Sequence, residues 1–184
     1  MTNTCLETAL ANMIQERSQI GNLVRHNVDT LFEIFPHVYL GNFNSTLSAL
    51  SADIDLIVNC TKDLPFPPPP PAPRARIDIR LPINDDRSKE AFDTFIEKAP
   101  NLLEAIEEHV QCGKKVLIHC LAGQQRSCAL VAAYLMFKKG FQYDQAVSHI
   151  KSIKADAFFY GVNFESALAH LTDLWSLISV TKIT

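Results

Sequence analysis

The chain of 184 residues has the length of one domain, with the 47% hydrophobic and 20% charged residues of a globular protein that has its own core. A net charge of −3 argues against a protein that wraps nucleic acid or lies on an anionic membrane. No apolar run reaches the roughly 18–20 residues of a membrane span, and the N-terminus lacks the layout of a signal peptide.

Five cysteines without a CxxC pair favour a reducing compartment. We therefore expect a cytoplasmic protein, and no residue spacing indicates a metal or other cofactor.

The N-terminal segment differs from the rest of the chain. Apolar residues recur every three or four positions along residues 1–30, which predicts a helical extension to a domain that covers residues 31–180. The simpler interpretation is a helix packed on its own domain. The alternative is a homodimer contact, because the stripe would otherwise expose apolar surface.

Strands and helices alternate along the domain. Strands are predicted at 34–41, 55–60, 77–81 and 116–119, and the last is a continuous apolar run typical of a strand buried on both faces. Helices are predicted from 91 to about 110, at 126–139, at 143–152 and from 163 to about 177. We expect Pro100 to break or kink the first helix and Gly140 to end the second. This alternation predicts an α/β fold with a mostly parallel central sheet flanked by helices.

A proline-rich segment separates the second and third predicted strands. Its prolines cannot join the interior of a sheet, so the segment from Pro65 to Pro73, which includes Phe66 to Pro71, is predicted to be an exposed polyproline loop. The favoured interpretation is a stiff spacer at the edge of a cleft. The alternative is a docking segment for a polyproline-recognising partner, since Phe66-Pro67-Pro68-Pro69-Pro70 resembles the ligands of EVH1 domains.

The segment that carries chemistry is His119-Cys120-Leu121-Ala122-Gly123-Gln124-Gln125-Arg126-Ser127. It places a cysteine directly after a buried strand and an arginine at the start of a helix. Loop N–H groups, the helix N-terminus and the guanidinium group of Arg126 would together form an anion cradle. The same positive field lowers the pKa of a thiol from about 8.5 to roughly 3.5–7.5. A thiolate in a cradle of phosphate size is a nucleophile for phosphorus.

This segment resembles the signature loop of the cysteine-dependent protein phosphatases, and the short chain is similar to their dual-specificity branch. Further segments resemble the same family, and together they cover residues 35–171: Val38-Tyr39-Leu40-Gly41-Asn42, Ile57-Val58-Asn59-Cys60-Thr61, Leu81-Pro82-Ile83-Asn84-Asp85-Asp86, and Asn163-Phe164 with Leu168. The opening strand and the N-terminal helix look most like the poxvirus-type members. The resemblance implies the fold of these phosphatases.

The resemblance also implies a role for each site residue. Cys120 would attack phosphorus and become phosphorylated, and Asp85 would protonate the leaving group and then activate water. Ser127 would donate a hydrogen bond to the departing thiolate, and His119 would order the loop and help to keep the thiol ionised. The phosphate would be held by Leu121, Ala122, Gly123, Gln124, Gln125 and Arg126. Sequence alone leaves the adjacent Asp86 open as the acid, although the family register favours Asp85.

The implied substrates are phosphotyrosine and phosphoserine or phosphothreonine in proteins, because the chain is too short for the deep tyrosine pocket of the larger branch. The alternative is an RNA 5′-phosphatase or a phosphoinositide phosphatase of the same fold. Polyanionic substrates of that kind favour a basic rim, for which the candidates are Arg74, Arg76, Arg80 and Arg87.

A second cysteine carries a further alternative. Cys60 ends the second predicted strand, so it is expected near Cys120, and the position resembles that of a protective disulfide in some related phosphatases. The competing interpretation is that Cys60 is a small buried hydrophobic residue. Cys128, on the helix after the loop, is expected to pack into the core.

Overall fold

The computed structural model describes residues 31–47 and 53–181, and it describes side chains as far as residue 175. The predicted extension at residues 1–30, and with it the homodimer contact, lies outside these residues. The described part contains five strands and four α-helices. The strands are Phe32–Phe35 (β1), Val38–Gly41 (β2), Leu56–Asn59 (β3), Ile77–Arg80 (β4) and Val116–His119 (β5). The helices are Lys89–Gln111 (α1), Arg126–Lys139 (α2), Tyr143–Ile153 (α3) and Glu165–Thr181 (α4).

The strands form one sheet in the order β1-β2-β5-β3-β4. Only β1 is antiparallel to its neighbour, so the predicted mostly parallel sheet is confirmed. His119, at the end of β5, pairs with Gly41 of β2 and with Asn59 of β3. Three parallel strands therefore end side by side at one edge of the sheet, which is where α/β proteins place their functional loops.

The single strand predicted at 34–41 is wrong, because the structure has a hairpin there. β1 and β2 are joined by a tight turn at Pro36 and His37, and His37 adopts a left-handed conformation with φ 68°. Proline has no N–H group for a sheet ladder, and the carboxylate of Glu33 accepts a hydrogen bond from the His37 N–H at 3.0 Å. Both features favour a turn over a continuous strand.

Pro100 does not end its helix. α1 runs for 23 residues with Pro100 inside it. A proline removes only one N–H donor from the helix, and the neighbouring Ala99, Leu102 and Leu103 are buried in the core, which holds the helix together across this position. Gly140 ends α2 as predicted, in the left-handed conformation with φ 74°.

The two faces of the sheet are covered differently. Val116 and Ile118 point into a large core to which all four helices contribute, whereas Leu117 points to the other face. On that face Phe66 packs against a small cluster formed with Ile54, Ile57 and Leu117. The half-buried aromatic ring of the proline-rich segment therefore packs against the protein's own apolar cluster.

The proline-rich segment is also held by two arginines. The Arg80 guanidinium lies 4.8 Å from the centre of the Phe66 ring, and Arg76 donates hydrogen bonds to the carbonyls of Pro67 and Pro68 at 2.7 and 3.1 Å. A partner that bound Phe66 would have to remove it from this packing. The contacts favour the interpretation as a stiff spacer.

Candidate active site

The signature loop connects the end of β5 to the start of α2, and its centre is the thiol of Cys120. The side chain is 1% exposed at the bottom of the loop. Its Sγ accepts hydrogen bonds from the Gly123 N–H and the Ser127 hydroxyl, both at 3.2 Å. Burial alone raises the pKa of this thiol, but the charge of Arg126 and the hydrogen bonds from Ser127 and Gly123 outweigh burial and lower it. The structure thus favours a thiolate at this position.

Gly123 gives the loop its shape. Its φ is +70°, a conformation that side chains disfavour. A Cβ atom there would lie 2.7 Å from the carbonyl oxygen of Gly41, at the end of β2. A hydrogen bond also joins the loop to the residues after β2, because the Phe43 N–H donates to the Leu121 carbonyl at 3.1 Å. The loop is therefore pressed directly against the strand beside it.

Arg126 supplies a cation without a carboxylate partner among the described residues. Its Nη1 lies 3.4 Å from the carbonyl oxygen of Ile83, and its buried Nε has no hydrogen-bond partner within the described part of the chain. Gln125, at the N-cap of α2, makes no side-chain capping bond. Guanidinium donors and helix N–H groups are therefore left to bind an anion next to Cys120.

His119 is a neutral residue in this structure. It is fully buried, and burial lowers its pKa to about 4. Its Nδ1 lies 3.4 Å from the Cys120 carbonyl, so the ring contacts the loop as expected. A neutral ring provides no positive charge for the thiolate, so the expected help in keeping the thiol ionised does not come from a charge on His119.

The two candidate acids have different surroundings. Asp86 accepts hydrogen bonds from the Ser88 N–H at 3.0 Å and from the Asn84 amide at 3.2 Å, and its bonds to Ser88 lower its pKa. It therefore shapes the turn before α1 as a carboxylate. Asp85 is exposed and accepts one bond, from Asn163 Nδ2 at 2.7 Å. This difference favours Asp85 as the acid.

The glutamines of the signature loop bind a neighbouring segment, residues 154–163, which we call the strap. Gln124 donates to Asp156 at 2.9 Å, and Asp156 is also paired with the buried Lys154. Gln125 donates to the Gly161 carbonyl at 2.8 Å and accepts from the Asn163 N–H at 3.2 Å. Both side chains are thus engaged with the strap, and these residues would contribute to an anion site through their backbone.

Sequence reasoning missed the role of Asn163 and of the strap. The sequence pattern places Asn163 only at the start of the last helix and Arg87 only in a basic rim, yet the Arg87 Nε donates to Asn163 Oδ1 at 2.8 Å. Asn163 and Asp85 are 78 positions apart in the sequence. No local pattern could have indicated their contact.

The two other cysteines near the loop are buried. Cys60 directly follows β3, and its N–H donates to the His119 carbonyl at 2.8 Å. Cys128 donates to the Gly123 carbonyl at 3.2 Å, in the core position predicted for it. Burial raises the pKa of both thiols well above the ordinary value. Of the three, only Cys120 is stabilised as an anion.

The described residues contain no group of three or more histidines, cysteines and carboxylates arranged to hold a metal ion. In the same part of the chain, every helix is too short or too polar to cross a membrane.

Comparisons with known proteins identify the family of this chain. A family model described as the catalytic domain of dual specificity phosphatases matches residues 38–173. The chain is 29% identical over 153 residues to dual specificity protein phosphatase 8 of Mus musculus, covering 78% of this chain and 22% of that protein. It is 29% identical over 137 residues to a putative tyrosine phosphatase of Invertebrate iridescent virus 6, covering 74% of this chain and 88% of the viral protein.

A solved structure gives the same result. The crystal structure of human DUSP28 superimposes with a TM-score of 0.63 at 26% identity, covering 76% of this chain and 90% of that one. The chain spans only 18–30% of the length of the first four curated relatives that it matches. The poxvirus-type subgroup stays a prediction. The match across residues 38–173 establishes that this chain belongs to the family of dual-specificity phosphatase catalytic domains.

Proposed function

We propose that this protein hydrolyses phosphotyrosine and phosphoserine or phosphothreonine in proteins through a cysteinyl-phosphate intermediate. The observation that carries the proposal is the Cys120 thiol, whose lowered pKa results from Arg126 and Ser127 outweighing burial. A thiolate beside an arginine that no carboxylate of the described residues neutralises is suited to bind and attack a phosphate monoester. Family membership supports the same reaction.

The first step joins the Cys120 sulfur to phosphorus and breaks the bond to the leaving oxygen. Arg126 and the loop N–H groups hold the non-bridging oxygens more strongly as charge develops in the transition state. Asp85 transfers its proton to the leaving oxygen, so the alcohol or phenol departs neutral. Protonation matters most for the alkoxides of serine and threonine, which are poor leaving groups.

The second step releases phosphate. Asp85, now a carboxylate, takes a proton from water as the water oxygen attacks phosphorus and the bond to sulfur breaks. The thiolate that departs is the group to which the Ser127 hydroxyl donates at 3.2 Å in the free protein. The cycle returns Cys120 as a thiolate and Asp85 as an acid.

The alternative, a phosphatase for RNA 5′ ends or phosphoinositides, is less favoured because three of the four arginines expected in the basic rim are already bound by aspartates or backbone carbonyls. Arg74 pairs with Asp53 at 2.7 Å, and Arg76 pairs with Asp78 at the same distance. Arg80 donates to three backbone carbonyls, of Thr61, Lys62 and Leu64. These guanidinium groups are already bound and offer little to a polyanion.

Two partner predictions stay open to test. Deleting the proline-rich segment in a pulldown tests the polyproline-recognising partner, although the packing of Phe66 favours the spacer. Sedimentation of the full chain against a truncation at residue 29 tests the homodimer.

The experiment for the proposed function measures phosphate release from phosphotyrosine and phosphothreonine peptides with a chelator present. We expect turnover of both, none in Cys120→Ser, and a severe loss in Arg126→Lys, because an ammonium group lacks the planar two-point contact. Cys120→Ser should still bind phosphate. Much faster turnover of an RNA 5′-triphosphate or a phosphoinositide than of any phosphopeptide would contradict the proposal.

A further inference from the structure

The hydrogen bonds around the strap form a continuous path from the signature loop to residues 81–86, which carry Asp85 and which we call the acid loop. Gln125 is 4% exposed, and both polar atoms of its amide bind the strap: the nitrogen donates to the Gly161 carbonyl, and the oxygen accepts from the Asn163 N–H. The side chain of Asn163 then reaches Asp85 at 2.7 Å. The phosphate cradle and the proposed acid are therefore joined through one asparagine.

Arg87 determines which way the amide of Asn163 faces. A guanidinium group can only donate hydrogen bonds, so the atom of Asn163 that meets the Arg87 Nε at 2.8 Å must be the carbonyl oxygen. The amide nitrogen must then face Asp85. Arg87 itself is held with φ 56°, an uncommon conformation for a residue with a side chain.

This orientation has a chemical consequence for Asp85. The carbonyl oxygen of a carboxylic acid is a stronger acceptor than the hydroxyl oxygen, so a hydrogen bond to one oxygen favours the proton on the other. Asn163 Nδ2 donates to Oδ1 of Asp85, so Oδ2 is left to hold the proton for the leaving group. The bond also restrains an exposed side chain to which no other described residue donates a hydrogen bond.

We propose that Asn163 and Gln125 are positioning residues that place Asp85 for proton transfer, with Arg87 fixing the Asn163 amide. The inference rests on the proposed function, because it assigns a task to the acid of that reaction. Gln125 acts by holding the strap against the signature loop, and Asn163 acts by holding the acid. Neither residue exchanges a proton with the substrate.

The test compares substrates that differ in their need for an acid. Asn163→Ala and Gln125→Met should lower turnover of an alkyl phosphate or a phosphothreonine peptide by roughly 10–100-fold, because small misplacements of a catalytic group cost rates of this order. An aryl phosphate with an activated leaving group should lose far less. In the background of Asp85→Asn, neither substitution should cause a further leaving-group-dependent loss.

Two control variants separate positioning from general damage. Gln124→Met removes the same amide from the neighbouring position, which binds Asp156 instead, so its effect should be the same for both substrates. Ser166→Ala alters an exposed residue that lines the same surface cavity as Asn163, and it should leave turnover unchanged. Equal losses on both substrates in Asn163→Ala, or an added loss in the Asp85→Asn background, would overturn the proposal.

A second measurement does not need turnover. Hydrogen exchange at residues 84–88 should accelerate in Asn163→Ala and in Gln125→Met but not in Ser166→Ala. Unchanged exchange in the first two variants overturns the coupling even in an active enzyme. A wild-type protein that hydrolyses no phosphate monoester overturns the proposed function instead, and the exchange data still decide whether Asn163 restrains the acid loop.

Discussion

The hydroxyl of Ser127 donates a hydrogen bond to the sulfur of Cys120 at 3.2 Å, from the first turn of α2 to the loop below it. This bond is one of the contacts that lower the pKa of the thiol against the effect of burial. Because a hydroxyl can stabilise the anion but gains little from the neutral thiol, removing it should shift the equilibrium toward the thiol.

Ser127→Ala is therefore expected to raise the pKa of Cys120. The measurement is the rate of alkylation by iodoacetamide across a pH series, with loss of Cys120 followed by mass spectrometry. The midpoint should lie below that of an ordinary thiol in the wild type and should move upward in the variant. A midpoint that does not move would show that Arg126 and the loop N–H groups suffice on their own.

The two adjacent aspartates should respond differently to amidation. Asp85→Asn should lower turnover of alkyl phosphates by about 10²–10⁴-fold and that of activated aryl phosphates much less, as expected for the loss of a general acid. Asp86→Asn should weaken the turn before α1, where Asp86 accepts bonds from Ser88 and Asn84. Finding the leaving-group dependence in Asp86→Asn alone would reverse this assignment.

His119 should make the fold sensitive to acid. Its pKa is about 4 in the folded protein against an ordinary 6.5, so protons bind the unfolded chain more strongly. The neutral ring makes its full contribution to the free energy of unfolding above pH 6.5, and this contribution is lost as the pH falls toward 4. Over this range the free energy of unfolding falls by roughly 3 kcal/mol.

The measurement is the free energy of unfolding in urea at several pH values across this window. His119→Gln lacks the titrating group, so its stability should fall less steeply with acid than that of the wild type. Parallel curves for the two proteins would mean that His119 does not titrate as its burial indicates.

Two left-handed glycines provide a matched pair of substitutions. Gly140→Ala, with φ +74° and nothing within 4 Å of a new Cβ, should cost only the conformational strain of roughly 1–2 kcal/mol. Gly123→Ala adds a contact of 2.7 Å with the Gly41 carbonyl, so the loop must move. We expect lower stability than in Gly140→Ala together with a loss of phosphate binding, measured by calorimetry. Equal behaviour of the two variants would refute the close approach as a constraint.

Cys60 is predicted to protect Cys120 from oxidation. Asn59 pairs with His119 on the neighbouring parallel strand, so the two cysteines that follow are expected side by side, and a disulfide requires Cα atoms no farther apart than roughly 7 Å. Peroxide would oxidise the Cys120 thiolate to a sulfenic acid, and the Cys60 sulfur would then displace its oxygen as water. The wild type should recover its activity after treatment with a reducing thiol, and before that treatment mass spectrometry should detect the Cys60–Cys120 disulfide.

Cys60→Ser should instead proceed to the irreversible sulfinic acid, while Cys128→Ser, which also removes a buried thiol near the loop, should behave as the wild type. Full recovery of Cys60→Ser after thiol treatment would leave Cys60 as a small buried hydrophobic residue.

The parts of the fold with strong local signals were predictable. β5 matches the predicted 116–119 because a run of buried residues bounded by polar ones has few alternatives, and α2 matches 126–139 because Gly140 ends it. The hairpin at residues 32–41 was missed because the apolar residues on both sides of Pro36 and His37, closed by Gly41, suggested one strand. α1 continues through Pro100 because tertiary packing outweighs a local preference.

The site divides in the same way. Cys120, Arg126 and Ser127 lie within eight positions, so the loop that joins them can be read from spacing alone. The contact of Asn163 with Asp85, by contrast, depends on how the strap folds back over the signature loop. Neither local segment indicates that the two residues meet. The neutral state of His119 likewise follows from complete burial, which no single segment reveals.

The internal binding of the arginines has a consequence for how substrates arrive. With Arg74 and Arg76 paired to aspartates, and with a net charge of −3, the protein as a whole offers little long-range attraction for an anionic ligand. Encounter with a phosphoprotein is then not accelerated by electrostatic steering. Discrimination between ligands falls to short-range contacts, which act only once the phosphate has entered the loop below Arg126.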